Sequence, residues 1–278
     1  MAGACQGFCH RARRLPVSDD GFDLERASSQ LTGAASAVKP PTRLQGISVF
    51  LPAHNEEGNI ARVVGDFLKV LPDLAEQYEV IVIDDGSSDR TAAIAQQLAT
   101  SDPRVRLVRH EQNRGYGGAV ISGLRAAREP YVVLCDGDGQ FDARDLTLFA
   151  ARAHDFDVVM GRRARRADPL IRRINGRAWT TLVRLLFGLK ASDIDCGFKL
   201  FRSSLLTGME LKAQGAMIST ELVARLAARR ARFCEADVRH LPRVTGEQSG
   251  ANFKVILRAF KELFKLYRDL RSEERGGS

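Results

Sequence analysis

The stretch Tyr131-Val132-Val133-Leu134-Cys135-Asp136-Gly137-Asp138-Gly139-Gln140 decides the fold. Five apolar residues read as a buried strand, and two carboxylates and an amide follow where it ends. In extended chain, positions 136 and 138 point to the same side. Two hard anionic oxygens there suit Mg²⁺ or Mn²⁺ carrying a substrate phosphate, since phosphate and water complete such a site. The alternative is a plain turn, because Asp and Gly favour turns for local reasons. An EF-hand is excluded. It needs Gly at its sixth position and Glu at its twelfth, where this chain has Phe141 and Thr147.

Outward from this strand, short apolar runs alternate with helical spacing. Strands are predicted at Ile47–Leu51, Tyr78–Ile83, Arg104–Arg109, Tyr131–Cys135 and Asp157–Met160. Between them lie helices at Ile60–Leu71, Asp89–Thr100, Gly117–Arg128 and Asp142–His154. The alternation implies an α/β fold, a mostly parallel sheet with helices on both faces. Ligands of such sheets bind beyond the carboxyl ends of the strands. Polar residues gather there: Pro52-Ala53-His54-Asn55-Glu56-Glu57, Asp84-Asp85-Gly86-Ser87-Ser88-Asp89, the DGDGQ segment, and Gly161-Arg162-Arg163. No GxGxxG follows the first strand and no Walker A loop occurs. Gly115-Tyr116-Gly117-Gly118 is open to two readings, close helix–strand packing or a substrate role.

Charge is equally local. The chain has 278 residues, 44% hydrophobic and 27% charged, with a net charge of +8. Residues 161–190 hold nine basic side chains (Arg162, Arg163, Arg165, Arg166, Arg172, Arg173, Arg177, Arg184, Lys190) against Asp168 alone, which equals the whole excess. A concentrated cation points to an anionic partner at one place, such as nucleic acid or an anionic lipid; a solvated basic face is the plain alternative. Nucleic acid is disfavoured, because Trp179 is the lone aromatic among these arginines and no stacking ladder forms. Five irregularly spaced cysteines fit a reduced compartment. No secretory signal or membrane-length apolar window is visible.

Two amphipathic stretches close the chain, Leu170–Phe187 and Phe253–Leu270, with basic residues between apolar ones. A membrane surface, the chain's own core, or a second subunit or membrane protein would each cover such faces. Glu221 reads as a helix-surface charge or an acceptor-facing one.

Six segments in order, PAHNEEGNI, VIDDGSSDRT, NRGYGGA, DGDGQ, MGRR and DIDCGFKLF, resemble glycosyltransferase family 2, with its GT-A fold (Rossmann-like, binding nucleotide-diphospho-sugars). More narrowly the chain looks like the polyprenyl-phosphate hexose synthases, over about Ile47 to Leu270. The resemblance implies hexose transfer from a nucleotide-sugar to a polyprenyl monophosphate, metal-dependent and inverting. It implies a peripheral location on the anionic cytoplasmic face of the membrane and a role in the cell envelope. Nucleotide binding falls to Pro52, His54, Glu56, Asp85, Gly115, Asp136, Gly137 and Arg243. Metal binding falls to Asp136, Asp138 and Gln140, with Mg²⁺ or Mn²⁺ as the ion. Catalysis falls to Asp136, Asp138, Arg162, Arg163 and Asp193, and acceptor binding to Arg162, Arg163, Arg172, Arg173, Cys196 and Lys199. The closing loop departs from the family pattern at Thr245, Gln248 and Gly250, leaving Arg243 as its candidate cation. Ser192 stands where mannose synthases carry Arg, which tilts the donor toward a UDP-sugar over GDP-mannose. The expected layout is a disordered tail (1–44), the GT-A domain (45–250), a basic amphipathic helix (251–272) and a short disordered tail (273–278).

Overall fold

The computed structural model describes residues 43–163, 170–188, 191–213, 215–242 and 262–272. The expected N-terminal tail up to residue 42, the closing loop with Arg243, and residues 251–261 of the last helix lie outside these.

Seven strands form one sheet in the order β3-β2-β1-β4-β6-β5-β7. They are β1 (Leu44–Ala53), β2 (Ala75–Asp84), β3 (Val105–Arg109), β4 (Tyr131–Cys135), β5 (Val158–Arg163), β6 (Phe198–Arg202) and β7 (Phe233–Val238). All pairings are parallel except those of β6, which runs against β4 and β5. The carboxyl ends of the other six strands therefore share one edge, and the start of β6 joins them there. The helices are α1 (Ile60–Leu74), α2 (Thr91–Ser101), α3 (Gly115–Ala126), α4 (Leu146–Ala150), α5 (Leu170–Phe187) and α6 (Met217–Ala228), with α7 at residues 262–272.

Strand alternation divides the core. Val49, Leu51, Val80, Val82 and Val133 face α1, α2 and α4, with Phe67 and Phe149 between. Phe50, Ile81, Ile83, Val132 and Leu134 face α3, α5 and α6. Phe50, Phe67, Phe149 and Phe198 are fully buried, each contributing about 1.5–3 kcal/mol of transfer free energy. The glycine that lets α3 approach the sheet is Gly123, whose Cβ would fall inside the Phe50 ring. It lies outside the Gly115–Gly118 motif.

Three expectations change in the structure. The helix over Asp142–His154 is instead a 3₁₀ turn, Ala143–Asp145, followed by the short α4. Asp142 accepts from the Arg144 backbone N–H at 3.0 Å and pairs with Arg239, while Asp145 is clamped by Arg239 at 2.6 Å, so this turn is held from outside. β5 continues through Arg163, which puts Arg162 and Arg163 in the strand. Glu221 is neither a surface nor an acceptor-facing charge. It is buried, paired with Arg225 at 3.0 Å, and accepts the backbone N–H groups of Lys212 and Ala213.

Candidate active site

The strand ends build the site in two halves. On the first, the loops after β1 and β2 are stitched together. Asn55, at φ +57°, donates its backbone N–H to Ser87 Oγ, and its Oδ1 accepts from the Ser88 N–H. The Glu56 N–H donates to Thr91 Oγ1 at 2.8 Å, and buried Glu56 accepts from Asn59 Nδ2 at 2.7 Å. His54 Nδ1 lies 2.9 Å from the Asp85 carbonyl and 3.3 Å from Asn113 Nδ2. Gly115 takes φ +78° and donates its N–H to Asn113 Oδ1. Four residues expected at the nucleotide (His54, Glu56, Asp85, Gly115) thus lie in these linked loops.

Asp85 is held by two groups missed in the sequence. Its Oδ1 accepts the Arg114 N–H at 2.8 Å and lies 2.6 Å from His110 Nδ1; His110 Nε2 lies 2.8 Å from Ser122 Oγ. Asp85 and His110 are both buried. The position of His110 directly after β3, at the binding edge, was the available signal.

Beyond β4, the Gly137 N–H donates to the Pro52 carbonyl, and a Cβ at Gly137 would stand 2.8 Å from that oxygen. Only glycine allows this approach. Asp138 Oδ1 accepts the Gln140 N–H at 3.0 Å. Asp136 Oδ1 accepts the Tyr116 hydroxyl at 2.8 Å, and its backbone N–H donates to Gly197 O. Burial, then the Asp138 charge, push the Asp136 carboxyl well above its ordinary range; Tyr116, Lys199 and Arg163 pull it back in part. Burial, then the Asp136 charge, raise the Tyr116 phenol far above 10, so it remains a donor. Two carboxylates that repel each other at a sheet edge fit a divalent cation, whose charge would relieve both. Among the described residues no three His, Cys, Asp or Glu side chains converge as a cage. Two carboxylates completed by phosphate and water match the way Mg²⁺ is usually bound. Gln140 is also tied elsewhere. Its Nε2 donates to Leu241 O at 3.1 Å and its backbone carbonyl accepts the Leu241 N–H at 2.8 Å. Its side-chain oxygen is the donor it retains for a cation.

The second half departs from expectation. Arg162 makes two bonds to Asp237, at 2.5 and 2.9 Å, and Arg163 makes two to Asp193, each 2.8 Å. These arginines join strands and loops. Glu235 accepts from the Ser192 N–H at 2.7 Å and from its hydroxyl. Cys196 and Lys199, expected as acceptor contacts, are fully buried and shape the wall from behind. Burial, then Asp193, push the Cys196 thiol up to about 12, far from a reactive thiolate. Lys199 donates to the Cys196 carbonyl, and burial lowers its pKa. Arg172 and Arg173 fall at the start of α5; their side chains lie outside the described residues.

This arrangement has known counterparts. The model of glycosyl transferase family 2 matches residues 48–208, more than half of the chain. The chain belongs to glycosyl transferase family 2. It is 30% identical over 216 residues to the undecaprenyl-phosphate 4-deoxy-4-formamido-L-arabinose transferase of Edwardsiella ictaluri, covering 77% of this chain and 65% of that protein. It is 32% identical over 174 residues to the dolichyl-phosphate beta-glucosyltransferase of Dictyostelium discoideum, covering 56% and 53%. The chain thus spans less than two thirds of the length of either relative. Glucosyl-3-phosphoglycerate synthase from Mycobacterium tuberculosis, solved with phosphoglyceric acid, shares the fold at a TM-score of 0.60 and 19% identity. That match covers 91% of this chain and 85% of the synthase. The fold of this family 2 member is accordingly GT-A.

Proposed function

We propose that the protein transfers a hexose, with inversion, from a nucleoside-diphosphate sugar to a polyprenyl monophosphate at the inner face of the membrane. The observation that carries this reading is the carboxylate pair Asp136–Asp138, set at the sheet edge beside the Asp85 pocket. Asp136 and Asp138, with the Gln140 side-chain oxygen, would hold Mg²⁺ or Mn²⁺. When bound, the ion neutralises charge developing on the departing diphosphate. Pro52, His54, Glu56 and Asp85 line the place of the nucleoside, and a UDP-sugar is the favoured donor. The acceptor needs no general base, because a phosphate monoester with a second pKa of ~6 is already anionic at neutral pH. It needs cations to bring two anions together. Arg165, Arg166, Arg172, Arg173 and Arg177 supply these, with Arg162 and Arg163 anchoring the root of the segment.

Two named relatives act on undecaprenyl or dolichyl phosphate, which supports the lipid acceptor. The solved synthase was crystallised with Mn²⁺ and UDP-glucose, which supports the metal and the donor. No helix among the described residues is long and apolar enough to cross a membrane. The membrane contact is assigned to α5 and α7, where Leu185 and Phe264 are exposed and Arg184, Lys265, Arg268 and Arg271 lie at the surface.

The test is incubation with Mn²⁺ and labelled UDP-glucose or GDP-mannose, with undecaprenyl phosphate, with 3-phosphoglycerate, or with neither. Label extracted into organic solvent only with the lipid supports the proposal. Transfer to the soluble phosphate would replace the acceptor, and no transfer with no donor binding would overturn the reading.

A further inference from the structure

The Gly115–Gly118 motif places one polar side chain where packing alone does not require it. Tyr116 is the second residue of α3, and its ring packs with the α3 face of the core. Its hydroxyl extends past that core to Asp136 Oδ1 at 2.8 Å. Phenylalanine would fill the same apolar contact. The hydroxyl therefore has the carboxylate as its purpose.

The surroundings of Asp136 make this contact directional. A Cβ on Gly197 would overlap the Asp136 carboxylate, standing 2.8 Å from Oδ1 and closer still to Oδ2. The bare backbone of Gly197 gives the group room, and its carbonyl accepts the Asp136 N–H. Asp136 is thus fixed at its backbone by β6 and at one carboxylate oxygen by α3. An ionised carboxylate is acceptor-only, with lone pairs on both oxygens. The phenol bonds one oxygen, while Oδ2 lies against Gly197 and makes no described hydrogen bond.

We propose that Tyr116 is a positioning residue for the metal site. It ties Asp136 Oδ1 to α3 and so fixes the orientation of a carboxylate that would hold the ion. This rests on the metal reading of Asp136 and Asp138 given above. The loss of one hydrogen bond to an oriented ligand should weaken the ion without touching the nucleoside pocket, where Tyr116 makes no contact among the described hydrogen bonds.

The test is Mn²⁺ binding to the intact protein in saturating UDP, followed by the electron paramagnetic resonance of free Mn²⁺, for wild type, Tyr116→Phe and Asp136→Asn. UDP affinity without metal and the unfolding temperature are measured alongside. Tyr116→Phe is expected to weaken Mn²⁺ by about three- to tenfold, with metal-free UDP affinity unchanged and the fold retained, while Asp136→Asn loses most binding. Equal Mn²⁺ affinity in Tyr116→Phe and wild type, with Asp136→Asn impaired, overturns the inference and leaves the metal site standing. Parallel loss of UDP affinity and thermal stability in Tyr116→Phe also overturns it, because the ring would then be structural. Wild-type binding in Asp136→Asn removes the metal reading, and the inference with it.

Discussion

Replacing Gly197 by Ala perturbs a single contact. Gly197 does not have positive φ, so alanine suits its backbone and the cost is steric alone. The new methyl would stand 2.8 Å from Asp136 Oδ1 and nearer to Oδ2. Because packed interiors do not absorb such overlap, the carboxylate must retreat by on the order of 1 Å. A misplacement of that size can cost about 10²-fold in rate. Gly197→Ala should therefore lower sugar transfer by about two orders of magnitude, with Mn²⁺·UDP affinity falling in step. Unfolding should move less than turnover, since the displaced carboxylate lies at the sheet edge and is not fully enclosed. The assay is transfer of labelled hexose into organic-extractable product, beside thermal unfolding and a crystal structure of the variant. Wild-type turnover, with Asp136 displaced in that structure, would refute the claim that Asp136 geometry governs the reaction.

Other expectations follow from the same contacts. His110→Ala removes the side-chain donor to Asp85 and should cost about 1.5–3 kcal/mol of stability as well as UDP affinity; His110→Asn, which keeps an N–H donor, should recover most of both in denaturant and binding titrations. Gly65→Ala, inside α1 with nothing within 4 Å of the new methyl, should stabilise the protein by about 0.5–1 kcal/mol in chemical denaturation. Arg232, with help from Arg202, holds Asp157 down to about 2 from 3.8. That contribution is fully present above pH 4 and is lost as pH falls toward 2. The stability gap between wild type and Asp157→Asn should accordingly close across that window, and a constant gap would count against the pairing.

Much of the first half could be read in advance because its information is local. Apolar runs such as Tyr131–Cys135 end in polar loops, and the parallel order places those loops together. The failures come from partners far apart in sequence. β6 is five residues long and carries Lys199, read in the sequence as an acceptor contact; its place between β4 and β5 buries it. Arg162 and Arg163 read as a free cationic clamp, yet Asp237 and Asp193 lie 75 and 30 residues away and take their donors. His110 escaped notice, and Tyr116 was read only as part of the Gly115–Gly118 motif, because their importance lies in which carboxylate they reach, and no local pattern carries that. Gln140 was legible as a polar neighbour of the carboxylates, but its tie to Leu241 spans 101 residues.

The reversed strand β6 also gives the molecule a seam. The described residues proposed to hold the donor and its metal, from β1 through β4 to Gln140, lie on one uninterrupted length of chain, whereas β5, β6 and β7 follow it. The two segments meet in the sheet along the five residue pairs between β4 and β6, and at the Asp136–Gly197 contact where that ladder ends. A chain organised in this way can be recombined. Exchanging the first segment among relatives that keep glycine opposite Asp136 should transplant nucleotide preference while leaving acceptor choice with the second.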